Sequence, residues 1–193
     1  MKRSIQPFTR GILAATLAAT IAPALTAQER GWSKWNHGLQ IGYVKPLGEL
    51  AEEHKPGIGL AWFSEKVFSN GLAVRGRLEI SGFGGHEKKG EYLGEECTYT
   101  DNLSQLGAML DLVYYHGLRD TIYPFVGVGY FHREAFTEVI VDGTYYEGDS
   151  TPLKSEVAFC AGVGINLSRH WGVEAKYTLC EYNWAQFSLL LRF

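Results

Sequence analysis

Residues 72–81 read LAVRGRLEIS, and their alternation decides the fold. Leu72, Val74, Gly76, Leu78 and Ile80 share one parity, while Ala73, Arg75, Arg77, Glu79 and Ser81 share the other. Successive side chains of a strand point to opposite faces, so this stretch reads as a strand with one apolar and one ionic face. Residues 171–180 (WGVEAKYTLC) repeat the pattern. Trp171, Val173, Ala175, Tyr177 and Leu179 alternate with Gly172, Glu174, Lys176, Thr178 and Cys180.

The same period of two, at lower contrast, marks residues 38–45, 57–66, 105–114, 123–133, 157–167 and 187–193. That makes eight strands, an even number as a single-chain bacterial barrel requires. The joins at 68–71, 117–122 and 168–170 are short, whereas those near 46–56, 84–102 and 134–154 are long. Short turns at one rim and long loops at the other match an outer-membrane barrel. The last hairpin, near Tyr182 and Asn183, departs by being short.

The first residues are set aside from the fold. Lys2, Arg3 and Arg10 precede an apolar run at 11–22, and small residues allow cleavage after Ala24 or Ala27, so residues 1–27 read as a signal peptide and 28–193 as one barrel domain. Removing those cations takes the formal charge from −3 to −6. A chain this acidic is a poor partner for nucleic acid. With 23 Gly and 13% aromatic residues, the composition favours strands and turns over a helical bundle.

Alternation alone does not say which face is outward. A soluble exported barrel would hide the apolar face around a small apolar ligand, and a membrane barrel would expose it. Three features favour the membrane. Arg75, Arg77, Glu79, Asp111, Glu174, Lys176 and Arg192 crowd the polar face with opposite charges, suited to a narrow lumen where ions pair. Aromatic residues gather at strand ends, with Tyr114, Tyr123, Trp171 and Phe193 at the short-turn rim and Tyr43, Trp62, Phe83, Tyr130 and Trp184 toward the loop rim, as in two interfacial girdles. The chain also closes on FSLLLRF, with Phe187, Leu189, Leu191 and Phe193 on one parity.

These residues, together with YPFVGVGY at 123–130, AGVGIN at 161–166 and WGVEAKY at 171–177, resemble the small eight-stranded outer-membrane barrels of the OmpA/OmpX-like porin superfamily. The resemblance implies an all-β, antiparallel up-and-down transmembrane barrel in the bacterial outer membrane. It also implies a monomer in contact with outer-membrane lipids and lipopolysaccharide. The terminal strand resembles the signal read by the barrel-assembly machinery. The chain departs from OmpA itself in ending at the barrel, without a peptidoglycan-binding domain.

Chemistry is sparse. Lipid A deacylases of this architecture need a His-Ser pair on a strand rim, and none of His37, His54, His86, His116, His132 and His170 stands in a His-x-Ser arrangement. Gly127-Val128-Gly129 and Gly162-Val163-Gly164 lack the third glycine and the helix of a dinucleotide motif, and no metal-ligand spacing occurs. No cofactor is expected. Cys160 and Cys180 share a lumen parity on consecutive strands, which predicts proximity and leaves a disulfide and two free thiols as alternatives. The interior charges read as a self-neutralising plug, with an ion-conducting gate as the alternative. The long loops are acidic, and Asp142, Glu147 and Asp149 mark a candidate site for a cation or a basic partner. The expected role is therefore non-enzymatic, structural or exerted through the loops.

Overall fold

A computed structural model describes residues 35–68, 71–92, 95–115, 122–141 and 144–193, with the backbone alone for Tyr92 and residues 145–150. The expected signal peptide, and Asp142 of the candidate loop site, lie outside the described residues. The elements are β1 (Trp35–Pro46), α1 (Glu49–Glu53), β2 (Gly57–Val67), β3 (Leu72–Phe83), β4 (Glu87–Tyr92), β5 (Glu95–Tyr114), β6 (Ile122–Val141), β7 (Thr144–Pro152), β8 (Glu156–Asn166), β9 (Trp171–Leu179) and β10 (Trp184–Arg192).

Eight strands form an antiparallel ring in the order β1, β2, β3, β5, β6, β8, β9, β10. The last strand pairs back onto the first, from Gly38 opposite Arg192 to Pro46 opposite Trp184. Closure satisfies the backbone without a free edge, the condition for crossing a bilayer with strands. β1, β2, β3, β8, β9 and β10 are 9 to 12 residues long, matched to a tilted span of the hydrocarbon.

The apolar parity faces outward. Leu78, Leu110, Phe159, Leu179 and Phe187 are half or more exposed, whereas Arg75, Arg77, Glu79, Asp111, Glu174 and Lys176 are buried. This is the reverse of a soluble barrel, and one face of LAVRGRLEIS therefore belongs to lipid and the other to the lumen.

The ring has the eight strands expected, and the structure adds two strands outside it. Residues expected as loops at 84–102 and 134–154 supply β4 and β7, and they extend β5 and β6 to 20 residues each. β5 and β6 stay in register from Val113 opposite Phe125 to Cys97 opposite Val141. Pairing of β3 with β5 stops at Phe83 and Leu103, and pairing of β6 with β8 stops at Phe131 and Glu156. Above those points β4, β5, β6 and β7 continue as a four-stranded sheet, rising about 30 Å along β6. Alternation fades there because neither face meets lipid.

The girdle assignment needs correcting as well. Tyr43, Tyr114, Tyr130, Trp171 and Phe193 do face outward, but Tyr123, Phe83 and Trp184 are buried inside. Trp62 lies opposite Leu39 and Leu78, at the middle of β2 rather than at a rim. The inward rings explain many of the glycines. Phe63, Phe125, Tyr123 and Phe131 each lie over the glycine directly opposite: Gly38, Gly162, Gly164 and Gly107. A Cβ on any of these glycines would stand 2.1 to 2.3 Å from the ring. A narrow lumen admits large side chains only where the facing strand supplies none.

Candidate functional sites in the lumen and the hairpin sheet

The central lumen is a contiguous ionic cluster. Asp111 on β5 accepts from Arg75 Nε at 3.1 Å and from Arg77 Nη2 at 2.9 Å. Arg77 Nε sits 2.7 Å from Asp111 Oδ2 and 3.3 Å from Glu79, as an ion pair without hydrogen-bond alignment. Arg75 Nη1 also donates to Glu174, which further accepts from Tyr123 Oη at 2.9 Å and Gln40 Nε2 at 3.4 Å. Lys176 Nζ reaches both oxygens of Glu79, at 2.6 and 2.7 Å. These groups come from facing positions on β3, β5 and β9, so strand alternation delivers the cluster to one level.

Arg192, grouped by parity with this network, stands apart from the carboxylates. It donates to Tyr123 Oη at 2.9 Å and to Asn166 Oδ1 at 2.7 Å, near the short-turn rim. Sequence reasoning missed the network's outer members. Glu65 accepts twice from Tyr115 Oη at 3.0 and 2.9 Å. Arg133 pairs with Glu156, donates to Gln105 at 3.3 Å, and stacks near Tyr182 and Trp184. Glu65, Gln105 and Glu156 sit on the inward parity of their strands, so that signal was present. Tyr123 stands near the start of β6, and Arg133 at the end of the strand expected at 123–133, where the alternation has low contrast.

Arg75, Arg77, Arg133, Lys176 and Arg192 thus face Glu65, Glu79, Asp111, Glu156 and Glu174 in balance inside the ring. Arg75, Arg77, Arg133 and Trp184 are almost wholly out of solvent. The lumen is filled by side chains at those levels.

Of the two alternatives for Cys160 and Cys180 the structure has the free thiols, and Cys97 is free as well. Cys160 lies opposite Thr178, so Cys180 is a diagonal rather than a direct neighbour. Cys160 contacts Arg77 and Asp111, while Cys180 donates to Tyr182 O at 2.8 Å and accepts from Arg133 at 3.2 Å. Each sulfur is engaged by a different partner.

The hairpin sheet carries the other cluster. Glu87 lies opposite Thr100, Thr100 opposite Glu138, and Glu138 opposite Glu147. Directly paired residues share a face, so these four positions form a lateral row across all four strands, about 14 Å long. Glu91 and Glu96 pair directly as well. Glu147 and Asp149 are both in β7, where the register against β6 shifts between Glu147 and Ser150. On the opposite face Asp101 accepts from Lys88 at 3.2 Å and from Thr137 at 2.8 Å. Among the described residues no group of three His, Cys, Asp or Glu has metal-holding geometry.

Phe187 and Leu189 are exposed on the outer wall, Leu191 is partly buried there, and Phe193 ends the chain with its backbone bonded to His37.

The family model of the outer membrane protein beta-barrel domain matches residues 12–188. Among solved structures the chain is similar to Ail, the attachment invasion locus protein of Yersinia pestis, in complex with the heparin analogue sucrose octasulfate. The identity is 18%, covering 83% of this chain and 99% of that one, with a TM-score of 0.53. Neisserial surface protein A is similar at 11% identity, over 82% of this chain and 95% of that one, with a TM-score of 0.47. No curated protein matches the sequence.

Proposed function

The chain belongs to the outer membrane protein β-barrel domain family and resides in the bacterial outer membrane, and from that premise we propose that it is a non-enzymatic surface protein whose hairpin sheet binds a basic polypeptide segment. The observation that carries this reading is the row Glu87, Thr100, Glu138, Glu147. Like charges directly opposite one another destabilise a sheet, and two such pairs, Glu138 with Glu147 and Glu91 with Glu96, occur in one small extension. A cationic partner would relieve that repulsion. The likeness to Ail supports the barrel; the polyanion seen with Ail is not the ligand class these acidic hairpins suit.

Within the same reading the barrel is an anchor. Its outer wall meets lipid and lipopolysaccharide, and Phe187, Leu189, Leu191 and Phe193 serve the assembly machinery. The filled lumen supports a plug over an ion-conducting gate.

The test is binding of poly-L-lysine to the full chain in nanodiscs, in salt of about 0.15 M so that weak surface attraction is screened. Replacing Glu87, Glu138 and Glu147 together by Gln should weaken binding at least tenfold while leaving heat-modifiable gel migration unchanged. Equal affinity of the two proteins would sink the proposal.

A further inference from the structure

The connection between β1 and β2 folds over the mouth of the barrel. Ala51 N donates to Gly48 O at 3.0 Å and His54 N to Leu50 O at 3.0 Å, which closes the single turn of α1. At one end Leu47 N donates to Asn183 O at 2.9 Å, in the β9–β10 turn. At the other, Lys55 N donates to Gly84 O at 2.6 Å and His86 N to Glu53 O at 3.1 Å, while His54 and Gly85 form an isolated antiparallel bridge. Gly85 is pressed onto β5, where a Cβ would meet Asp101 O at 2.3 Å.

Among the described residues little else holds this segment. Leu50, 3% exposed, is its one side chain in the apolar layer with Val44, Phe83, Leu103, Phe131 and Trp184. Glu49, Ala51, Glu52 and Glu53 are exposed. α1 also lacks a side-chain cap at its start. A segment with one buried apolar contact and a few peripheral backbone bonds belongs to the low-stability end of a fold.

His54 sits at the seam. Its ring is buried, and Nδ1 has no hydrogen-bond partner among the described residues. Around it stand Glu53 on the segment itself, Lys88 on β4 and Asp101 on β5, with the His86 backbone against Glu53. Asp101 is already committed to Lys88 and Thr137. The pocket therefore suits a neutral imidazole.

We propose that residues 47–56 form an acid-released lid, closed over the mouth while His54 is neutral and freed when His54 takes a proton. Burial pushes the imidazole below its ordinary value, and Lys88 adds to this, while Glu53, Asp101 and the Leu50 carbonyl pull the other way without overcoming it. A group with a lowered value in the closed state gains its proton more readily in the open state. Closure is thus full above about pH 6.5 and weakens as pH falls below it. The opening constant should rise up to about tenfold between pH 7.5 and 5.5 while the closed-state ring stays neutral. Opening uncovers the layer of Phe83, Leu103, Phe131 and Trp184, so acid would turn a sealed mouth into an aromatic cup.

Hydrogen exchange of the Lys55 and His86 amides, in the full chain in nanodiscs and corrected for intrinsic rates, reads the lid directly. Their protection should drop several-fold from pH 7.5 to 5.5, with Val74 in β3 unchanged. His54→Gln should abolish that drop, and His86→Gln should preserve it. Flat protection in the wild type, or the same drop in His54→Gln, would overturn the proposal. The wild-type profile alone also decides. An onset only well below the ordinary imidazole value of about 6.5 would refute the role of His54.

Discussion

The pair Glu79 and Lys176 offers an asymmetric test of how the lumen is held. Lys176 Nζ lies 2.6 and 2.7 Å from the two oxygens of Glu79, and both residues are buried. The gross attraction at that distance is about 6 kcal/mol at an effective dielectric of about 20, most of it offset by the desolvation of both ions. Glu79 has a second cation, Arg77 Nε at 3.3 Å, whereas the ammonium has Glu79 as its ion-pair partner among the described residues. Removing each partner therefore leaves a different remainder. Glu79→Gln strands a buried ammonium and should cost about 3–5 kcal/mol. Lys176→Met leaves Glu79 against Arg77 and adds apolar packing, so its cost should be about 1–3 kcal/mol. The double variant restores charge balance and should lie within about 2 kcal/mol of the wild type, well short of the sum. Urea unfolding in detergent micelles, followed by tryptophan fluorescence and heat-modifiable migration, reads these differences. The larger loss should move the midpoint by more than about 1 M. Equal losses for the two single variants, or a double variant equal to their sum, would refute the claim that the lumen is stabilised by local ion pairing.

Other outcomes follow from the same geometry. Gly164→Ala places a methyl group 2.1 Å from the Tyr123 ring, which Glu174 and Arg192 hold in place, and should cost about 1–3 kcal/mol in urea; an unchanged midpoint would count against a tightly packed lumen. Planar-bilayer recordings of the wild type should show no discrete conductance steps, and regular steps at neutral pH would contradict the plug. Mass spectrometry under non-reducing conditions should find three free thiols, and a linked peptide from Cys160 and Cys180 would contradict their separate engagement. Leu50→Ala should loosen the lid, seen as faster exchange at Lys55 with β3 unaffected, since it removes the one apolar contact that seats α1.

The barrel was legible because lipid imposes a rule on every spanning residue. In β3 and β9 each outward position must be apolar and each inward one must fit a crowded polar lumen, so period-two alternation is nearly unbroken. That rule lapses above the membrane, and so β4 and β7 read as loops: EKKGEY and TYYEGDSTP show no apolar face. Their strands are specified instead by register inherited from β5 and β6. Aromatic residues misled for a related reason. Tyr123, Phe83 and Trp184 stand at strand ends, where a girdle and an inward stack place the same residue type, and only the facing strand distinguishes them. For Tyr123 that partner is Gly164, and a ring opposite a glycine is the pairing that marks an inward aromatic here.

The division between anchor and working surface follows from where unsatisfied polarity is left. Inside the ring, cations and carboxylates face one another in balance, Tyr123 and Tyr115 add hydroxyl donors, and aromatic rings occupy the space the glycines vacate, so the lumen offers little to an outside molecule. In the hairpin sheet the arrangement is reversed. Glu138 faces Glu147 and Glu91 faces Glu96, unlike-charge pairs are few, and β4 and β7 each have one strand neighbour only. Such an edge in water is guarded by its charges against self-association. In the proposed function the same charges select a partner of opposite sign. The lid is tied to the root of the same sheet, through His54 against Gly85 and through Lys55 and His86. Its release at mildly acidic pH would open the mouth beside the acidic surface, and the two events have separate readouts: poly-L-lysine binding reports the sheet, and amide exchange at Lys55 and His86 reports exposure of the aromatic layer.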